Sequence, residues 1–341
     1  MDPTNENLMR LGNSDLIVSK LGIGAMTWGD LSITPRLNPA RLAYGPAENK
    51  EELKKAVDGS LASGVNFIDT AAMYGKGSSE LIVGEITEGT DMIIATKFPS
   101  SFFPQTSDFP KDLDNSLKRL NRPFIHLYQI HYPSPLFSIP KVLLQMVNAF
   151  QSGKIKAVGV SNFSEKQMRL AHRILTEHGI PLASNQVEYS LLHRNPEKNG
   201  VLDTCHELNI TLIAYMPLKM GALTGKYSVS VRPIGLRKIM STFSKKNLVK
   251  LAQIIELLKF KDKVVSENSK SYNHFDYGNI LNAGLIFKVK DDIEIFIDYK
   301  NYIGRAIIYY YAGDYENRNY SHYLNLGVSF AINKPFIKTC T

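Results

Sequence analysis

The chain has 341 residues, of which 44% are hydrophobic and 21% charged, with a formal net charge of +8 at pH 7. That balance excludes wholesale disorder and collagen-like repeats, and no apolar run approaches the ~20 residues of a membrane helix. The basic excess is spread along the chain and not gathered into a stripe with interleaved aromatics, so no nucleic-acid partner is expected.

Seven short β-branched runs follow one another: Leu21–Ala25, Val65–Thr70, Met92–Phe98, Leu127–Tyr132, Ala157–Asn162, Ser184–Tyr189 and Thr211–Pro217. Stretches with helical spacing separate them. Leu113, Leu117 and Leu120 mark one apolar face, Val201, Leu202, Cys205 and Leu208 another, and Leu248, Leu251, Ile255 and Leu258 a third. Ser164 followed by Gln167 reads as a capping box opening the helix before Gly179. This alternation is the βαβ rhythm of a parallel sheet, and seven strands point to an α/β fold of the TIM-type (β/α)8 barrel class.

The pattern changes near residue 263. Ten of the 17 tyrosines lie after Val264, fifteen of the 16 prolines before it. The period becomes two: Ile293, Ile295, Ile297 and Tyr299 fall on one face, and Leu324, Leu326, Val328 and Phe330 repeat the alternation. Gly313-Asp314 and Asn317–Asn319 look like turns. The division is therefore 1–262, a barrel, and 263–341, a β-rich tail expected to form an antiparallel meander.

In a parallel barrel the C-terminal strand ends share one mouth. Here the second strand ends in Asp69-Thr70, with Tyr74 five residues past the aspartate. The next strands end in Thr96-Lys97, His131 and Ser161-Asn162; the sixth carries Gln186, and the seventh ends in Tyr215-Met216-Pro217. Six consecutive strands bearing polar groups at one end make a site. A tyrosine hydroxyl titrates near 10, and an adjacent ammonium lowers that value. Lys97 is the expected ammonium, Asp69 its partner, and His131 the group that orients a carbonyl oxygen or shares the proton. Together they would protonate an oxygen while a hydride reaches carbon. Ser161, Asn162 and Gln186 offer donors and acceptors for a carboxamide, and Tyr215 a face for a planar ring.

These segments resemble the aldo-keto reductase family: LGIGAMTWGD (21–30), GVNFIDTAAMYG (64–75), IIATKF (93–98), LYQIHYP (127–133), GKIKAVGVSNFS (153–164), ASNQVEYSLL (183–192) and LIAYMPLKMGALTGKY (212–227). The resemblance covers residues 9–260 and looks most like the plant and bacterial branch that includes pyridoxal reductases. It implies an NADPH-dependent reduction of an aldehyde or ketone, with Asp69, Tyr74, Lys97 and His131 as catalytic tetrad and Tyr74 as general acid. It implies cofactor contacts at Met26, Thr27, Ser161, Asn162, Gln186, Tyr215, Pro217, Leu218 and Gly221, with Trp28 at the rim of the substrate pocket. It further implies a small-molecule carbonyl substrate, and a monomer or weak homo-oligomer is expected. The residues themselves, with no apolar run of membrane length, no His/Cys/Asp cluster at metal-ligand spacing and two unpaired cysteines, Cys205 and Cys340, lead to an expectation of no membrane, no metal and a cytoplasmic location. The polar N-terminus and the absence of a CxxC pair agree with a reduced compartment.

Two departures stand out. Met216 replaces the family's usual serine beside Tyr215. After Lys263 the family's next helix, its eighth strand and the basic segment for the 2′-phosphate are missing, which predicts an open seam between strands one and seven. Loss of one phosphate clamp lowers affinity by about 2–4 kcal/mol. The tail is open to three readings: a fused or frame-changed segment, a replacement that still caps the barrel, or a separate β module. The alternative function is a catalytically impaired relic that acts at most as a weak cofactor-binding or interaction protein.

Overall fold

The computed structural model describes residues 7–29, 49–99, 108–134, 138–268, 282–290, 293–300, 307–311 and 329–332. Cys340, Leu324, Leu326, Val328 and the expected turns at 313–314 and 317–319 lie outside them. A hairpin, β1 (Leu8–Arg10) and β2 (Ile17–Ser19), comes first. Seven strands follow: β3 (Leu21–Gly24), β4 (Phe67–Asp69), β5 (Ile93–Phe98), β6 (Ile125–Ile130), β7 (Ile155–Ser161), β8 (Leu182–Glu188) and β9 (Thr211–Tyr215). Each is parallel to the next, and the sheet curls as the α/β reading expected.

The helices take the intervening chain. They are α1 (Lys50–Ala62), α2 (Ser78–Ile86), α3 (Phe109–Leu120), α4 (Ile139–Gln151), α5 (Glu165–Thr176), α6 (Val201–Glu207) and α7 (Lys245–Asn268). Local chemistry sets their ends. The Asn49 side chain accepts from the Glu52 N–H at 2.9 Å to start α1. The Ser164 N–H donates to Gln167 Oε1 at 2.9 Å, so the capping box forms at α5. The apolar faces turn inward: Leu113, Leu120, Val201, Cys205, Leu248, Leu251 and Ile255 are all buried. Burial pushes the Cys205 thiol well up, leaving a small core hydrophobe.

The hairpin, which periodicity alone did not suggest, closes the N-terminal end of the barrel. Met9, Leu11 and Val18 join Phe67, Leu127, Ala157 and Ile213 in one buried cluster. The Gly12 N–H donates to Thr211 Oγ1 at 2.7 Å, tying hairpin to barrel.

Among the described residues the family's parallel eighth strand is missing, as expected. The seam it would leave is nevertheless bridged. A tail strand, β12 (Ile307–Tyr311), pairs antiparallel with β3 and with β9, closing the barrel. Unpaired ladder edges on both sides demand partners, and Ile-Ile-Tyr-Tyr-Tyr has the β propensity to supply them. The other tail strands, β10 (Asn282–Lys290), β11 (Ile293–Lys300) and β13 (Ser329–Ile332), form a three-stranded antiparallel sheet. No helix among the described residues is long and apolar enough to cross a membrane.

One histidine helps hold the wall. His126 Nδ1 accepts from the Ile94 N–H at 3.1 Å. Burial, then the nearby Arg122 and Lys156 charges, hold its pKa down to about 4. Above the unfolded value of 6.5 both states are neutral and the bond is fully available. As pH falls from 6.5 towards 4 the unfolded chain takes the proton first, so stability is lost across that window. His126→Asn keeps an acceptor without the titration. Urea denaturation at pH 7 and pH 4.5 should show the variant losing about 2 kcal/mol less than the parent; equal losses would show that His126 is not the linked group.

Candidate active site

The strand register sets the site. Asp69 ends β4 and Lys97 lies near the end of β5, one neighbouring strand away, and both are almost completely buried. Lys97 Nζ donates to Asp69 Oδ2 at 2.6 Å and to the Thr70 carbonyl at 2.8 Å. Asp69 Oδ1 accepts from Gln186 Nε2 at 2.9 Å and from Gln129 Nε2 at 3.2 Å. A buried ion pair survives desolvation only when its remaining hydrogen-bonding positions are filled, and here two amides fill the second carboxylate oxygen. Burial lowers the Lys97 pKa, opposed by the Asp69 charge, its hydrogen bond and the charge of Glu80.

Tyr74 sits on the turn between β4 and α2. Gly75 and Lys76 follow it with φ of 56° and 57°. A Cβ on Gly75 would stand 2.7 Å from the Gly29 Cα, so the first barrel loop presses against this turn and only glycine fits. Ser78 Oγ donates to the Gly75 carbonyl at 2.7 Å. The Tyr74 ring is half-buried. Lys97 Nζ stands 5.1 Å from its centroid, and the His131 ring meets it edge-on at 5.8 Å and 83°.

The expected downward shift of Tyr74 is not found. Burial, then the charge of Asp69, holds the hydroxyl well above its ordinary 10. The physical reason is that Lys97 spends its charge on Asp69, while the carboxylate repels a phenolate. His131 is driven well below 6.5, first by burial and then by Lys97, so its ring is neutral. Its Nδ1 is buried and, among the described residues, has no hydrogen-bond partner. An orphaned imidazole nitrogen beside a protonated tyrosine suits a ligand oxygen or N–H at this point. Tyr132 stacks on His131 with centroids 4.6 Å apart.

A second group lies across the mouth. Ser161 Oγ donates to the Gln186 carbonyl at 2.9 Å, and Asn162 Nδ2 donates to Ser161 Oγ at 3.0 Å. The Tyr215 hydroxyl donates to Asn162 Oδ1 at 2.9 Å. Asn162 has φ of 60°, a left-handed conformation that asparagine tolerates. The loop after β9 is bent more strongly: Met216, Lys219 and Met220 all have positive φ, with the Lys219 N–H on the Met216 carbonyl at 2.8 Å. Lys219 pairs with Glu188. Such backbone conformations persist where tertiary contacts over-determine them, often at ligand sites. Pro217 is buried and Leu218 and Gly221 are half-buried in this loop; Met26 and Thr27 are half-buried in the loop after β3, beside Trp28, which is 6% exposed.

A sequence model of the Aldo/keto reductase family matches residues 20–263. The chain belongs to the aldo/keto reductase family. It is 32% identical over 242 residues to the chloroplastic pyridoxal reductase of Arabidopsis thaliana, covering 66% of this chain and 64% of that protein. It is 33% identical over 229 residues to the 6-dehydroglucose reductase of Novosphingobium aromaticivorans, covering 63% and 69%. Among solved structures it is similar to a glycerol dehydrogenase from Gluconobacter oxydans, with a TM-score of 0.63 and 26% identity over 77% of this chain and 79% of that one. The chain thus spans just under two thirds of its Arabidopsis relative. As an aldo-keto reductase domain, it places the four expected tetrad positions at one end of the barrel.

Reading strand ends alone missed several residues. Gln129, Ser184 and Glu80 are fully buried polar groups in or behind the wall. Glu80 accepts from Thr96 Oγ1 and from Arg119 Nε, each at 2.6 Å, and adds negative charge behind Lys97. The available signal was the strand period: Gln129 lies two residues before His131 and so shares its face.

The raised Tyr74 pKa has a direct check. Titrating the unliganded protein from pH 7 to pH 10 by ultraviolet absorbance, the parent and Tyr74→Phe should yield the same tyrosinate signal, because Tyr74 stays protonated throughout. A phenolate that appears below pH 10 in the parent and vanishes in the variant would refute this.

Proposed function

We propose that this aldo-keto reductase reduces an aldehyde or ketone to an alcohol, with NADPH as cofactor and Tyr74 as proton donor. The observation that carries the reading is the buried Asp69–Lys97 pair set beside Tyr74 and a neutral His131. The names of the relatives, two reductases of carbonyl compounds and a dehydrogenase of an alcohol, support the same class of chemistry.

When bound, the reduced nicotinamide supplies a hydride to the carbonyl carbon. The chain's own residues do the rest. Tyr74, held protonated by burial, donates its proton to the carbonyl oxygen. The Lys97 ammonium, next to the ring, offsets the negative charge that appears on the phenol oxygen as the proton leaves. Asp69 holds Lys97 in place. His131, neutral, offers a nitrogen to orient the carbonyl oxygen. Ser161 and Asn162 present a donor and an acceptor to a carboxamide. Gln186 donates one Nε2 hydrogen to Asp69 and offers the carboxamide its side-chain oxygen. Tyr215 provides the stacking face, Met26 and Thr27 the opposite side, Pro217, Leu218 and Gly221 the pyrophosphate loop, and Trp28 the substrate rim. In this reading the enzyme works in the cytoplasm on a small carbonyl compound as a monomer or weak homo-oligomer.

Tyr74→Phe should lower kcat by about 10²–10⁴-fold, while NADPH binding, followed by quenching of the single Trp28, changes less than about threefold. Equal loss of turnover and binding would remove Tyr74 from the proton-donor role.

The relic reading is favoured by one observation: the family match ends at residue 263, and the strand that closes the barrel comes from outside it. We take 1–262 as the reductase barrel and 263–341 as a tail that substitutes for its missing end. Full-length protein should then bind NADPH saturably and run as a compact species on size exclusion, whereas a chain ending at residue 268 should aggregate through its open β3 and β9 edges. A truncated chain that stays monomeric and binds NADPH equally well would make the tail dispensable. Full-length protein with no saturable binding would favour the relic.

A further inference from the structure

The site description leaves one buried polar assembly without a function. Lys97 on β5, Gln129 on β6, Gly159 on β7 and Ser184 on β8 are consecutive partners in the strand register, so they form one rung of the barrel wall. Gln129 and Ser184 are fully buried within that rung. Ser184 Oγ donates to Gln129 Oε1 at 3.3 Å, and Gln129 Nε2 donates to Asp69 Oδ1 at 3.2 Å. Gln129 and Ser184 are separated by β7, and their bridge passes over Gly159. A Cβ at Gly159 would stand 2.4 Å from Ser184 Oγ and 2.9 Å from Gln129 Cγ. Any side chain there would occupy the space the bridge uses.

We infer that Gln129 is a positioning residue: braced by Ser184 across the space left by Gly159, its amide holds Asp69 in the charged form that faces Lys97. The consequence for catalysis rests on the carbonyl-reductase reading above. The Asp69 carboxylate, which only accepts, fixes the direction of the amide by taking an Nε2–H, and the Ser184 hydroxyl, able to donate, braces the Oε1 end. A reversed amide would set two oxygens against each other. Hydrogen bonds to a carboxylate favour its charged form, strongly so away from water. Among the described residues, several groups act on Asp69 and Lys97 besides Gln129, the Thr70 carbonyl among them as an acceptor for Lys97. Tyr74 approaches from the turn after β4, Glu80 from α2 and His131 from the end of β6, while Gln186 on β8 supplies the other amide to Asp69 Oδ1.

Removal of the Gln129 donor has a signed effect. The charged carboxylate loses one of its three donors, so Asp69 takes up a proton more readily as pH falls. Once neutral, it no longer supports the Lys97 ammonium, and activity is lost. Deprotonation of Tyr74 and Lys97 at high pH occurs with Asp69 already charged, so the alkaline limb is unaffected. A charge-assisted bond of ordinary strength corresponds to a movement of about one pH unit.

The test is Gln129→Met, which keeps the side-chain length and removes the donor. The pH profile of kcat/KM for carbonyl reduction should show its acid limb about one pH unit higher than in the parent, with the alkaline limb unmoved. In protein labelled with 13C at the aspartate carboxyls, the protonation midpoint of Asp69 should rise by the same amount. This second readout needs no turnover. If the parent proves inert, the reductase reading fails, and the carboxyl titration alone decides the role of Gln129. A uniform fall in activity across pH with an unmoved Asp69 midpoint would overturn the inference. Should Gln129→Met not fold, Ser184→Ala takes its place: it leaves Gln129 present but unbraced, and the midpoint should move in the same direction by less. An unmoved midpoint there would overturn the inference equally.

Discussion

An ammonium and a carboxylate together in the dry centre of a barrel are the constraint around which the rest of this molecule is arranged. Taking Asp69 and Lys97 out of water costs several kcal/mol per ion, and their mutual attraction offsets that only when no lone pair is left empty. The wall is built to meet this condition. Two glutamine amides reach Asp69 from β6 and β8, the Thr70 carbonyl takes a second Lys97 proton, and Gly159 leaves room for the bridge between Gln129 and Ser184. Glu80, itself neutralised by Arg119, adds negative charge behind the lysine. Removing any one of these would leave a charge short of a partner in a place where water cannot help.

Barrel wall and barrel mouth divide the labour. The rungs are regular and in register, so a side chain on one strand meets a fixed neighbour on the next. The mouth is made of turns forced into unusual backbone: Gly75 and Lys76 after Tyr74, Asn162 after β7, and Met216 with Lys219 and Met220 after β9. Regular rungs fix the buried charges in place, and the bent loops set where the mouth residues stand. At the other end the hairpin around Leu11 packs into the barrel core.

The family match and the tail meet at a sharp boundary. Residues 20–263 carry the aldo-keto reductase pattern, and beyond them the chain turns to strands. A seven-stranded curl has two unpaired edges facing each other across a gap, and the tail places Ile307–Tyr311 in that gap running the opposite way. Reversed direction still satisfies the ladder hydrogen bonds of both neighbours, because antiparallel pairing serves backbone groups as well as parallel pairing does. It does not recreate the loop that follows a parallel eighth strand, since chain leaving an antiparallel strand exits at the other end of the barrel.

Much of this was written in the sequence. The βαβ rhythm, the capping box at Ser164 and Gln167, the inward faces at Leu113 and Val201, and the pairing of Asp69 with Lys97 all follow from local period and from the rule that strand ends share a mouth. These are short-range or topological regularities, and a chain displays them without being folded. The sequence did not reveal whether Tyr74 gains or loses acidity, because that depends on whether Lys97 spends its charge on the tyrosine or on the carboxylate, a matter of ångströms. Nor did it reveal Gln129, whose role exists only because Gly159 and Ser184 come into register beside it, or that Gln186 turns its amide to Asp69. The seam was foreseeable as a gap, and a capping tail was one of three readings of residues 263–341, but the sequence did not show which strand would fill it or that it would run antiparallel. By itself the sequence determined which groups point at the mouth, through the alternation of side chains along each strand. Only the tertiary structure decided how those groups share protons, hydrogen bonds and charge, because these depend on distances between residues far apart in the chain.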